Sequence, residues 1–169
     1  MPRWPWRGRA PEPRLEPLAV MPVGVVRNGV REPRMSGWEG VTSEILLREE
    51  LAGALDGIEG FSHIIVLFWL HRVPENDRRL THIHPLGDPE VPIQGVFATR
   101  TQNRPNPIGV AVVPLLERKG RRLRVRGLDA IDGTPVLDLK PYVPHHDSVP
   151  EARLPAWARE GPKARAGWV

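Results

Sequence analysis

"SHIIVLFWL", Ser62–Leu70, sets an unbroken apolar run behind one serine and one histidine. The run is far shorter than the ~20 residues a membrane helix needs. Its Ile, Val, Phe and Trp content favours extended backbone. Read at period two, both of its faces are apolar, which predicts a strand buried on both sides. Working outward, similar short runs flank it. "AVMPVGVVR" (Ala19–Arg27) and "SEILLR" (Ser43–Arg48) precede it. "IQGVFATR" (Ile93–Arg100), "IGVAVVPLL" (Ile108–Leu116), "RRLRVRGL" (Arg121–Leu128) and "TPVLDLK" (Thr134–Lys140) follow. Turn dipeptides at Lys119-Gly120 and Asp132-Gly133 punctuate the later runs. Only "REELAGALDG", ending at Gly57, reads as one or two helical turns. Many short strands with hardly any helix predict an all-β barrel or sandwich.

Composition agrees. Gly and Pro number 16 and 20 among 169 residues, which favours turns over long helices. Cysteine is absent, so disulfides, thiolate metal sites and cysteine nucleophiles are excluded. The net charge of +4 suits a polyanionic partner, or else an Arg-rich mixed surface. Residues 1–17 are Pro- and Arg-rich without a period and read as a flexible extension, either a basic arm on nucleic acid or a passive tail. They lack the apolar segment of a secretory signal. Residues 18–150 are expected to form the single β domain, and 151–169 a tail that could hold one short helical turn.

No G-x-G-x-x-G follows a strand and no P-loop is present, so a doubly wound nucleotide-binding domain is not expected. A nucleotide-like cofactor must then be held by loops of a β structure. "TRTQNRPNPIGVAVV" (Thr99–Val113) is one such loop. Pro105 and Pro107 push Arg104 and Asn106 towards extended backbone, so the segment is stiff before any ligand arrives. Arg100, Asn103, Arg104 and Asn106 then make either a small-molecule clamp or a rigid linker capping its own backbone.

"LDAIDGTPVLDLKPYVPHHDS" (Leu128–Ser148) crowds Asp129, Asp132, Asp138, Lys140 and Tyr142 around an Asp-Gly turn. Asp132 reads as the turn former. Asp138 interrupts an apolar strand; pointing inward it would need a partner, and Lys140 lies on the same face. His82 and His84, with His145 to Asp147, raise a metal site that nothing ties together, and no metal is expected. His63 and His71 bracket the central strand and mark its ends, with His63 able to face a site at the strand mouth. Arg122, Arg124 and Arg126 share one strand face, as a phosphate-contacting stripe or as the charge of a protected edge strand.

Four blocks together resemble the TrmO family, also called YaeB or TsaA-like, of S-adenosylmethionine-dependent tRNA methyltransferases. They are "PVGVVR" (Pro22–Arg27), "LDGIEGFSHIIVLFWLHR" (Leu55–Arg72), "GVFATRTQNRPNPIGVAVV" (Gly95–Val113) and the Leu128–Ser148 block, in family order. The resemblance implies a small single-domain β-barrel unrelated to Rossmann-type methyltransferases. It implies a homodimer binding S-adenosylmethionine in a cleft near the subunit interface. It also implies methylation of N6 of threonylcarbamoyladenosine at position 37 of tRNA, in the anticodon loop. A cytoplasmic protein with no membrane or metal partner goes with that reading.

By resemblance the cofactor-binding residues are Arg104, Asn106, Pro107, Ile108, Gly109, Asp132, Gly133, Thr134, Lys140 and Tyr142. Asp138 and His63 are the candidates for base or orienter, and Arg100 or Arg104 for holding the carboxylate of the modified base or of the cofactor. Many members read Ser-Pro-Phe where this chain has Thr101-Gln102-Asn103. Longer bacterial members add a C-terminal domain, which leaves open how tRNA docks here. Rival readings are an enzyme of the same fold acting on another RNA site or a small molecule, and a non-catalytic RNA- or cofactor-binding module.

Overall fold

The computed structural model describes residues 14–160; the start of the basic extension and the end of the tail lie outside the described residues. Six strands close into an antiparallel barrel. In chain order the strands are β1 (Gly24–Arg27), β2 (Thr42–Leu47), β3 (His63–Trp69), β4 (His82–Ile83), β5 (Gln94–Gly95), β6 (Ile108–Lys119), β7 (Arg122–Arg126) and β8 (Pro135–Pro141). The barrel order is β1-β2-β7-β6-β3-β8, and β4 with β5 makes a separate two-stranded ribbon. Two short helices follow, α1 (Pro144–Asp147) and α2 (Ala156–Glu160).

The opening run is the central wall, pairing β6 from His63↔Pro114 to Trp69↔Ile108 and β8 on its other side. Ile64, Val66 and Phe68 point into a core shared with Val26, Ile45, Val113, Leu123, Val125 and Val136. The expectation of burial on both faces is corrected. A barrel has one interior, so His63, Ile65, Leu67 and Trp69 face outward and are only half-buried.

β6 runs further than its apolar pattern, and Pro114 sits where it leaves β3 for β7. A residue without an N–H suits that change of partner. The Lys119-Gly120 turn is the expected hairpin. Gly120 takes φ +56 at its first loop position and Arg121 stays out of that region, as a type II′ turn requires. Asp132-Gly133 lies instead in a crossover, because β7 and β8 are not neighbours.

The Ile93–Arg100 strand is also corrected. Only Gln94–Gly95 pairs as a strand, and Val96–Ala98 folds into a 3-10 turn. Thr99 Oγ1 and Arg104 Nη2 both donate to the Val96 carbonyl and bend the chain back. The helical turns after β2 are 3-10, over Glu49–Leu55, and stop before Gly57 at φ +88. Arg118 holds their end through the Leu55 carbonyl, Asp56 and Glu59. The β7 arginines are exposed as expected, but β7 is interior to the sheet rather than an edge. Arg122 pairs with Glu44 and Arg124 with Glu117, so much of the stripe is neutralised locally.

Candidate functional site

Both β6 and β8 run antiparallel to β3, so the connections entering them reach the barrel where β3 ends. There the chain forms a cleft of about 110 Å³. One wall is Leu70–Val73, directly after β3, and another is Asp129–Ile131 with Thr134. Pro33, Arg34 and Trp38, from the loop between β1 and β2, close a third side, and Gln102 a fourth.

Backbone and side-chain bonds fix these walls. Leu70 N–H donates to the Pro107 carbonyl at 2.8 Å, tying the proline loop to the end of β3. Asn28 spans three segments. Its Nδ2 donates to Ser43 Oγ and to the Ala130 carbonyl, both at 2.9 Å, and its Oδ1 accepts from Val30 N–H. Asp132 Oδ1 accepts from Asn28 N–H at 3.0 Å, with Arg27 3.8 Å from its other oxygen. Thr134, 2% exposed, donates its N–H to Ile131 across the turn in which Gly133 takes φ +80. Arg72 forks onto both oxygens of Glu32, at 3.0 and 3.1 Å, and so ties the β1–β2 loop to the wall after β3.

Two titratable groups in the cleft are perturbed. The Asp129 carboxyl is open to solvent on the cleft side, while the protein packed around the rest of it strips part of its hydration. That desolvation raises its pKa against the opposing pull of a backbone hydrogen bond and the Arg100 charge. The His71 imidazole is lowered, first by desolvation and then by the Arg72 charge. A neutral imidazole at neutral pH can accept a proton. A carboxylate and a neutral imidazole in one cleft with guanidinium groups form a set suited to acid-base work and to a zwitterionic ligand.

The residues expected from sequence fall into two groups. Thr134 lines the cleft, and Asp132 and Gly133 shape the turn leading to it. Arg100 reaches Asp129 electrostatically while its Nη2 donates to the Val110 carbonyl at 3.0 Å. Arg104 spends its guanidinium on its own loop, donating to the Thr101, Thr99 and Val96 carbonyls at 2.8, 2.7 and 3.3 Å. For Arg104 the backbone-capping alternative is the one the structure realises. Asn106 is exposed, and Pro107 is buried behind it. Gly109 packs on the Phe68 ring, where a Cβ would come within 2.4 Å.

The second group lies on the outer barrel face, away from the cleft. Asp138 stands opposite Leu67 and Lys140 opposite Ile65, and Tyr142 N–H donates to the His63 carbonyl. Asp138 and Lys140 do pair, at 2.7 Å, but on this outward face. The inward orientation considered for Asp138 is therefore corrected; a bulge opposite Leu67–Phe68 sets the register. His63 sits at the opposite end of β3 from the cleft, about 20 Å away along a seven-residue strand. Its ring nitrogen is 3.0 Å from Ser62 Oγ. Ile108, Val110 and Val112 share this face at 41%, 44% and 51% exposure.

Sequence reasoning missed Arg34, Trp38, Arg72 and the perturbed character of His71 and Asp129. Position alone marks His71 as a strand end, and Asp129 precedes the Asp132-Gly133 turn with no local pattern that sets it apart. Among the described residues no three His, Cys, Asp or Glu side chains converge as metal ligands, and no helix is long and apolar enough to cross a membrane.

Residues 27–148 match the family model described as the tRNA-methyltransferase O N-terminal domain. A probable S-adenosyl-L-methionine-binding protein of Archaeoglobus fulgidus is 44% identical over 147 residues, covering 85% of this chain and 39% of that protein. One of Methanothermobacter thermautotrophicus is 44% identical over 136 residues, covering 78% and 95%. The tRNA (adenine(37)-N6)-methyltransferase of Escherichia coli is 37% identical over 155 residues, covering 84% and 64%. The crystal structure of TrmO from Pseudomonas aeruginosa superposes with a TM-score of 0.68 at 34% identity, covering 85% and 62%. The chain thus spans less than two thirds of three of these proteins and nearly all of the fourth.

Proposed function

Because the chain belongs to the tRNA-methyltransferase O N-terminal domain family, we propose that it is an S-adenosylmethionine-dependent methyltransferase acting on tRNA, at N6 of threonylcarbamoyladenosine 37. The observation that carries this reading is the cleft, which His71 and Asp129 both line beside the two loops most like the family's. Relatives named as S-adenosylmethionine-binding proteins and a homologue named as an adenine-37 methyltransferase support it.

The cleft's donor set fits the cofactor. Asp129 offers a carboxylate to an ammonium, a sulfonium or ribose hydroxyls, and Arg100 and Arg72 offer guanidinium groups to a carboxylate. When bound, the cofactor supplies an already activated methyl group, so alignment is the enzyme's main task. His71, held neutral, takes the proton that the acceptor nitrogen sheds. Thr134 and the turn before it fix the wall that carries Asp129.

A homodimer packed through the outer face of β6, β3 and β8 would cover Ile108, Val110 and Val112. It would place His63, Asp138, Lys140 and Tyr142 at the subunit boundary, where His63 and Asp138 would orient the ligand while His71 takes the proton. The 18–150 barrel is then the catalytic unit, and a cytoplasmic setting follows from a tRNA substrate.

The test is purified protein, methyl-labelled S-adenosylmethionine and tRNA carrying threonylcarbamoyladenosine, with nucleosides resolved by mass spectrometry. Methylated threonylcarbamoyladenosine is expected. Label at another nucleoside or in a small molecule would move the substrate. Cofactor binding with no transfer to any acceptor would make the chain a binding module.

A further inference from the structure

The loop between β1 and β2 contributes more than a wall. The Arg34 guanidinium carbon lies 4.6 Å from the centroid of the Trp38 ring. Trp38 Nε1–H is already spent on the Arg34 carbonyl at 3.2 Å, and Arg34 Nη2 on the Gly37 carbonyl. Gly37, at φ +80, permits the tight return that folds the two side chains together. With those donors occupied, what Trp38 still offers the cleft is flat aromatic surface, and the stacked arginine adds charge. Both residues line the cleft. A large, half-buried indole at a cleft mouth is not needed by the barrel core, from which it is absent.

We propose that Trp38, backed by Arg34, is a stacking platform for an unpaired nucleobase of the RNA substrate. This rests on the RNA methyltransferase reading and adds how that substrate is held. Single-stranded loops are recognised by splaying bases onto aromatic rings and arginine planes. Arg27 and Arg72, at the base and the anchor of the same loop, are each paired with a carboxylate, Asp132 and Glu32, whereas Arg34 makes no ion pair among the described residues and keeps its charge for a phosphate beside the stacked base. The alternative source of a flat purine is the adenine of the cofactor, and the experiment separates the two.

The full chain is titrated with two anticodon stem-loop RNAs, one intact and one abasic at its loop purines, and separately with S-adenosylmethionine. Trp38→Ala should lose about tenfold or more in affinity for the intact RNA, the size of one lost base stack. It should lose little for the abasic RNA, and Trp38→Phe should restore most of the difference. A merely structural defect would weaken both RNAs equally. Equal affinities of Trp38→Ala and wild type for the intact RNA overturn the platform while leaving the function standing. A loss confined to S-adenosylmethionine overturns it in favour of the cofactor's adenine. Wild-type protein that binds neither RNA overturns the function and the platform together.

Discussion

Gly109→Ala decides what the glycine of "RPNPIG" is for. A Cβ built on Gly109 stands 2.4, 2.5 and 2.9 Å from Cε2, Cζ and Cδ2 of Phe68. Carbon atoms ordinarily meet at about 3.5–4.0 Å, so the added methyl is too close by about 1 Å. The ring cannot swing aside, because Phe68 is 1% exposed and sits directly opposite Gly109 in the β3–β6 ladder. Gly109 does not occupy the left-handed region, so the change carries no backbone penalty of its own. What remains is overpacking, at about 1–3 kcal/mol, or about 2–12 °C in melting temperature for a domain of this size. Urea denaturation measures it. The cause is checked with Phe68→Leu, which makes room: the double variant should be more stable than the summed single effects by about 1 kcal/mol. If Gly109→Ala stays within about 0.5 kcal/mol of wild type while cofactor affinity collapses, the packing argument is wrong. The glycine would then serve the ligand.

Three further outcomes follow from the site. Arg104→Ala removes three charged hydrogen bonds to loop carbonyls and should cost about 2 kcal/mol by denaturation; a lysine cannot reproduce the fork, so Arg104→Lys should recover little. Asn106→Ala, at an exposed position, should leave stability within about 0.5 kcal/mol yet weaken S-adenosylmethionine binding by calorimetry; unchanged affinity would remove Asn106 from the clamp. The third outcome concerns pH. His71 is lowered in the fold, so the unfolded chain binds more protons between that value and the ordinary 6.5. Its contribution to stability is therefore complete above 6.5 and lost as pH falls. Asp129 is raised, so its contribution is complete below the ordinary 3.8 and lost as pH rises through its folded value. His71→Gln should flatten the acid side of the melting-temperature profile. Asp129→Asn should raise stability at neutral pH, by less than about 1 kcal/mol because solvent reaches the carboxyl. A profile parallel to wild type in either variant would contradict the burial argument.

The strands were readable because each carries its own periodicity. β7 alternates arginine with Leu123 and Val125, and the structure buries those two alone. Lys119-Gly120 likewise carries its hairpin in two residues. "IQGVFATR" failed as a strand because what bends it is Arg104, several residues downstream, donating back to Val96 and Thr99. The two-faced burial expected of β3 failed for a related reason. Apolar residues on both faces show that neither face is strongly polar. They do not reveal which face the barrel encloses, or what would cover the other.

The site was less legible, and one topological fact accounts for most of the shortfall. His63 and His71 bracket β3 symmetrically in the sequence, and nothing local ranks one above the other. The ranking comes from strand direction. β6 and β8 both run antiparallel to β3, so the segments leading into them, with Gln102 in one and Asp129 and Thr134 in the other, arrive where β3 ends. That end carries His71, and His63 is left about 20 Å away. Had either strand paired in parallel, its leading segment would have arrived beside His63 instead. The same logic sorts Asp138 from Asp129. Both stand in one acidic stretch, but Asp129 precedes β8 and reaches the cleft, whereas Asp138 lies within β8 and takes the outward face that register assigns it. Chemistry by residue type proposes the candidates. Antiparallel pairing of three distant segments selects among them.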